Sequence, residues 1–202
     1  RKEMKLYSRL ADAFTPLAKG MNSEYANQNA YDAISVHGGS GFIMEYKCQR
    51  LFRDARIFSI YEGTTQLQVV AAIRYVTNGT YLGIIKEMLE KEVAPEFQAL
   101  KDRVAKMVEK YEDAINYVKA AGNNDLHDFL ARRLYEMTAE IIMSLLILDD
   151  ATRAPELFAK SANVYVRYAE GTVAGHYAYI KEFKAEDLAD FLAAAPEEAP
   201  AE

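Results

Sequence analysis

Arg53-Asp54-Ala55-Arg56-Ile57-Phe58-Ser59-Ile60-Tyr61-Glu62-Gly63-Thr64 is the stretch from which this 202-residue chain is best read. It sets a carboxylate between an aromatic residue and a glycine. Thr65 and Gln68 fit the S/T-x-x-E/Q capping box, so the pattern predicts a helix starting at about Thr64 or Thr65. Such a start offers free N–H groups and a partial positive charge, a natural site for an anion. Two opposed pulls act on Glu62. Apolar neighbours that exclude water make a carboxylate a better base, whereas a helix start favours its anion. The sequence leaves that balance open. On spacing alone Glu62 also reads as an exposed loop acid, the commoner case for a carboxylate in such a place.

Upstream lies a second marked stretch, Val36-His37-Gly38-Gly39-Ser40-Gly41-Phe42. Three glycines in four residues mark a backbone that turns tightly or approaches a ligand closely; a simple helix-ending turn gives the same pattern. Between the two stretches, residues 45–58 read as a short helix ending in an extended piece. Arg53 and Asp54 within it read as a structural ion pair that orients the loop.

Helical spacing dominates elsewhere. Leu6, Leu10, Ala13, Phe14 and Leu17 predict a helix over 3–19, with Lys19-Gly20 as its stop. Ser23 reads as the cap of a second helix over 23–36, with Tyr25, Ala26, Ala30, Ala33 and Ile34 inward. A helix over 65–77 offers Leu67, Val70, Ala71 and Val76 to the core. From Thr80 onward long amphipathic segments follow, at about 80–93, 95–120, 124–150 and 154–182. Leu126, Leu130, Leu134, Met137, Ile141, Leu145 and Leu148 form one apolar stripe. Phe158, Ala162, Tyr165, Ala169, Val173 and Ile180 form another. Gly171 and Gly175, four residues apart, suit a close helix crossing. The chain is therefore expected to be all-α: a helical bundle over 1–79, a second set of long antiparallel helices over 80–192, and a disordered Ala/Pro/Glu tail over 193–202.

Composition narrows the function. Half of the residues are hydrophobic, enough for a sizeable core, and no apolar run approaches the roughly 20 residues of a membrane span. Residues 1–80 carry ten Lys/Arg against seven Asp/Glu, a net of +3. The remainder carries fourteen against twenty-three, a net of −9, which together give the overall −6. The mildly basic first part suits an anionic small ligand, and the acidic second part argues against nucleic acid. Cys48 is the single cysteine, so no internal disulfide is possible, which fits a reducing, cytoplasmic setting. His37, His127 and His176 lack the Glu-x-x-His spacing of a di-iron bundle, and no metal site is expected. The chain opens on Arg1 and reads as a piece of something longer.

The two loops together resemble the C-terminal α-helical domain of acyl-CoA dehydrogenases. Three segments carry the resemblance: Gly38-Gly39-Ser40-Gly41-Phe42, then Arg50-Leu51-Phe52-Arg53-Asp54-Ala55-Arg56, then Ile60-Tyr61-Glu62-Gly63-Thr64. The long extension after residue 80 resembles that of the larger-subunit subgroup. Ser35, Lys47 and Gln49 depart from the family's usual Gln, Pro and Glu. The resemblance implies a C-terminal fragment of an FAD-dependent enzyme that oxidises an acyl-CoA thioester to a trans-2-enoyl-CoA. Glu62 would be the base for the α-proton, with Tyr61 and Gly63 lining the acyl site. Thr64 and Gln66 would touch FAD in their own subunit, and Gly38 and Gly39 would touch FAD in a neighbouring one, so a homo-oligomer is implied. An electron-transferring flavoprotein would take the electrons. The isolated piece is expected neither to hold FAD tightly nor to be active. A non-enzymatic helical assembly module that keeps the fold is the alternative.

Overall fold

The structure, a computed structural model, describes residues 2–191, of whose side chains those from Glu3 onward are described. The tail expected to be disordered from 193 onward lies outside the described residues. Among the described residues eight α-helices follow one another: α1 (Lys2–His37), the single turn α2 (Gly39–Phe42), α3 (Cys48–Phe58), α4 (Thr65–Thr77), α5 (Thr80–Glu90), α6 (Gln98–Ala120), α7 (Asn124–Arg153) and α8 (Pro155–Glu182). Short 3-10 turns stand at Pro95–Phe97 and Ala185–Phe191. No strand occurs among the described residues, so the fold is all-α as the periodicity predicts. None of the described helices is long and apolar enough to cross a membrane.

The first helical layer is α1 with α3 and α4 laid against it. The second is the antiparallel set α6, α7 and α8, joined by connections of one to three residues. α4 and α5 bridge the two by packing on α7. One contiguous core runs through both, from Ala13, Leu17 and Met21 on α1 to Val166, Val173 and Ile180 on α8. The whole expected stripe of α7, Leu126 to Leu148, is buried. Glu140, also buried on α7, accepts hydrogen bonds from Tyr25 of α1 and Tyr165 of α8, each at 2.7 Å. Three helices are thus tied at one carboxylate.

Several local expectations fail, each for a physical reason. α1 runs unbroken through Lys19-Gly20, so Ser23 is no cap; its hydroxyl bonds back to Lys19 O at 2.6 Å. A mid-helix glycine costs about 1 kcal/mol against alanine, but here its missing side chain is filled by the Tyr135 hydroxyl of α7, which donates to Pro16 O (3.0 Å) and Leu17 O (3.2 Å). Leu6 is exposed rather than inward. α3 stays helical to Phe58 with no extended end, and no ion pair among the described residues involves Arg53 or Asp54. α4 keeps Val76 buried as expected, but the rest of its expected face is turned outward. Val69, Ala72, Ile73 and Val76 face the core and Leu67, Val70 and Ala71 face outward, because α1 and α7 pack on the former face. Gly171 and Gly175 meet no neighbouring helix among the described residues, none of which comes within 4 Å of where a Cβ would stand.

Candidate active-site loop

Residues 59–64 leave α3 and enter α4 in a tight loop. Ile60 N and Tyr61 N both bond to Ile57 O, and Thr65 N bonds to Ser59 O at 3.2 Å, closing it. Glu62 has φ 52 and Gly63 φ 92. The left-handed region suits glycine, and Glu62 is the sole described non-glycine residue there, a conformation that persists only where its surroundings enforce it. A side chain at Gly63 would also stand 2.7 Å from Gln68 Nε2.

Those surroundings are specific. Lys19 Nζ of α1 donates to Phe58 O (2.7 Å) and Gly63 O (2.6 Å), spanning the loop. Gln68 Nε2 donates to Gly63 O (3.2 Å) and Glu62 O (3.4 Å) from the other end. Ser23 Oγ reaches Phe58 O (3.0 Å), and Asn27 Nδ2 reaches Ala55 O (3.1 Å). Lys19, Ser23 and Asn27 stand four residues apart and so share one face of α1. Thr65 Oγ1 donates to Glu24 Oε1 at 2.6 Å. Thr64 is the cap of α4: its hydroxyl oxygen accepts from Leu67 N, leaving its own hydrogen to donate elsewhere. The helix thus starts with Thr64 as its cap, and the expected Thr65–Gln68 capping box does not form: position 67, the N3 site, is Leu, and Gln68 bonds the loop carbonyls instead.

The loop and α1 enclose an open groove lined by Ala18, Asn22, Ala26, Phe58, Tyr61 and Glu62. Glu62 and Tyr61 are exposed in it, and Lys19 Nζ lies 5.9 Å from the Tyr61 ring centroid. Tyr61, Glu62, Gly63, Thr64 and Gln66 thus gather at one place, with Gln66 exposed. Gly38 and Gly39 do not join them. They end α1 some sixteen residues beyond Asn22, about 24 Å at ~1.5 Å per residue. Gly38 has φ 60, and among the described residues nothing beyond the adjoining chain stands within 4 Å of a Cβ built on either glycine. The backbone there is open to an extended ligand. The residues that sequence reasoning missed are Lys19 and Asn27. Their signal was a polar file at 19, 23 and 27, hidden by reading Gly20 as a helix end.

Among the described residues no three His, Cys, Asp or Glu side chains gather closely enough to hold a metal. Residues 4–76 match the family model described as acyl-CoA dehydrogenase, C-terminal domain, and residues 77–188, more than half of the chain, match that described as acyl-CoA dehydrogenase C terminal. The caffeyl-CoA reductase-Etf complex subunit CarC of Acetobacterium woodii is 50% identical over 52 residues, 26% of this chain and 14% of CarC. The 3-(aryl)acrylate reductase of Clostridium sporogenes is 47% identical over 58 residues, 29% of this chain and 15% of that protein. The matched part is thus about a seventh of the length of these curated relatives. The crystal structure of an acyl-CoA dehydrogenase family protein from Porphyromonas gingivalis superposes with a TM-score of 0.53 at 37% identity, over 56% of this chain and 98% of that one.

Proposed function

Because the chain belongs to the acyl-CoA dehydrogenase family, we propose that Glu62 is the base that takes the α-proton of an acyl-CoA thioester, within a longer parent protein. The observation that carries this reading is the clamped loop. Lys19 and Gln68 hold the carbonyls around Glu62, which lines the groove beside Tyr61 from left-handed backbone. Placement of this kind matters as much as basicity, since the α-proton is acidic only when the thioester carbonyl is polarised. Tyr61 and Gly63 line the acyl side. Thr64, with one hydroxyl hydrogen to donate, and exposed Gln66 would hold FAD at the loop. Gly38 and Gly39 would hold it where their open backbone admits an extended ligand. When bound, FAD supplies the hydride acceptor for the β-carbon. Roughly 24 Å of helix between the two sets supports their serving two different cofactors, hence a homo-oligomer.

A division at about residue 79 into bundle and extension is part of the proposal, and the meeting of the two family matches at residues 76 and 77 supports it. So is an electron-transferring flavoprotein as redox partner: CarC is named as a subunit of an Etf complex. Two relatives are named reductases; run in that direction, the protonated Glu62 would return a proton to the α-carbon. A second reading, an assembly module without catalysis, draws on the outward apolar residues Phe42, Met44, Leu67 and Val70. Glu62→Gln in the full-length parent separates them. Flavin reduction by acyl-CoA, followed by anaerobic stopped flow, should slow by about 10²–10⁴-fold, the usual loss for a general base. Glu45→Gln should leave it near normal. A Glu62→Gln protein within a few-fold of wild type would hand the lead to the assembly reading.

A further inference from the structure

The turn of α1 that carries Lys19 is itself held from behind the site. Tyr135 of α7 is buried, and burial pushes its phenol well above the usual tyrosine range, so it remains a neutral donor. Its hydroxyl occupies the space over Gly20, where any side chain would collide with it, and it donates to Pro16 O and Leu17 O. One turn on, Tyr25 donates to buried Glu140, five residues after Tyr135 on α7. Residues 16–25 of α1 are therefore fixed to α7 by Tyr135 and Glu140. The same residues are fixed to the loop by Lys19, Ser23 and the Glu24–Thr65 bond.

We propose that the helical extension positions the base: Tyr135 holds the α1 turn at Gly20, and Lys19 on that turn holds the Phe58 and Gly63 carbonyls between which Glu62 is presented. Tyr135 and Lys19 are positioning residues, and the inference rests on the reading of Glu62 as the base. A non-glycine residue in left-handed backbone reverts when its clamps are lost, and a displacement of about 1 Å at a reacting group can cost on the order of 100-fold.

The test uses the full-length protein with FAD bound, as wild type, Tyr135→Phe, Lys19→Met and Lys19→Arg. Two readouts are taken: amide hydrogen exchange of peptides covering 58–65, and flavin reduction across acyl-CoA concentrations. Tyr135→Phe and Lys19→Met should speed exchange in 58–65 by about 10-fold while peptides from α6 and α8 stay at wild-type rates. Maximal reduction should fall at least about 10-fold with the half-saturating concentration little changed. Lys19→Arg, which keeps a cationic donor, should restore most of both. Unchanged exchange in 58–65, or exchange raised equally through α6 and α8, overturns the inference. Should Tyr135→Phe fail to fold, Lys19→Met decides alone, its side chain being only half-buried. If Lys19→Met reduces at the wild-type rate while Glu62→Gln is slow, the positioning inference alone fails. If Glu62→Gln is also fast, the base reading has failed and takes the inference with it.

Discussion

Gly20→Ala should destabilise this protein, although alanine is the better helix former. In a free helix the change would gain about 1 kcal/mol. Here the new methyl would collide with the Tyr135 hydroxyl and stand 3.2 Å from both Tyr135 Cζ and Gln68 Cβ. Pushing the phenol away severs its bonds to Pro16 O and Leu17 O in a buried place. An orphaned buried hydroxyl costs about 1–3 kcal/mol, and overpacking about 1–3 kcal/mol more. Less the propensity gain, the net is a loss of about 1–5 kcal/mol. Tyr135→Phe removes the colliding atom at the cost of one modest interaction, about 0.5–1.5 kcal/mol. The double variant should accordingly be close to Tyr135→Phe alone, and more stable than Gly20→Ala alone. Urea titrations followed by helical circular dichroism, with an unchanged m-value, give all four corners of the cycle. A Gly20→Ala protein more stable than wild type, or two changes that add to within about 0.5 kcal/mol, would rule out a collision at Tyr135.

Glu140→Ala should cost about 1–3 kcal/mol in all, since it removes the acceptor of both Tyr25 and Tyr165 and leaves those hydroxyls only each other, 3.4 Å apart, read from the same titrations. Glu136 gives a pH dependence. Burial pushes its carboxyl up, but the hydrogen bonds and charges of His176 and Arg132 outweigh that and hold it below the usual range. Its contribution is thus complete above the unfolded value of about 4.3 and is lost as pH falls through the lower folded value. Glu136→Gln should therefore lose less stability than wild type between about pH 5 and pH 3. These 202 residues alone, purified and dialysed, should retain no stoichiometric flavin absorbance, because the groove at Glu62 is open and encloses no ring.

Periodicity made the helices legible, since burial of a stripe every 3.6 residues is what drives them together. The apolar positions of α7 were readable to the residue. α4 was not: Leu67 and Val70 are as apolar as Val69 and Ile73, and only the partners on either side decide which pair turns inward. Gly20 misled because glycine ends helices and also admits close neighbours, and the neighbour, Tyr135, lies 115 positions away. The gathering of Tyr61, Glu62, Gly63 and Thr64 was legible because a loop keeps sequence neighbours together. The ladder of Lys19, Ser23 and Asn27 was not, because its partners are main-chain carbonyls, which no side-chain pattern announces.

The unbroken course of α1 makes it a ruler. It is about 54 Å long, 36 residues at ~1.5 Å each, with the loop clamp partway along and the two glycines at its end. No joint lies between them, so their separation and their relative bearing are set by residue count alone. Adding one residue near Asn29 would swing the glycine end about 100° around the axis, and four would leave it about 40° out of phase. Seven would bring it back to within about 20°, while lengthening the span by about 10 Å. Length variation in this helix is therefore quantised: the two ends can drift apart only in steps that preserve their bearing.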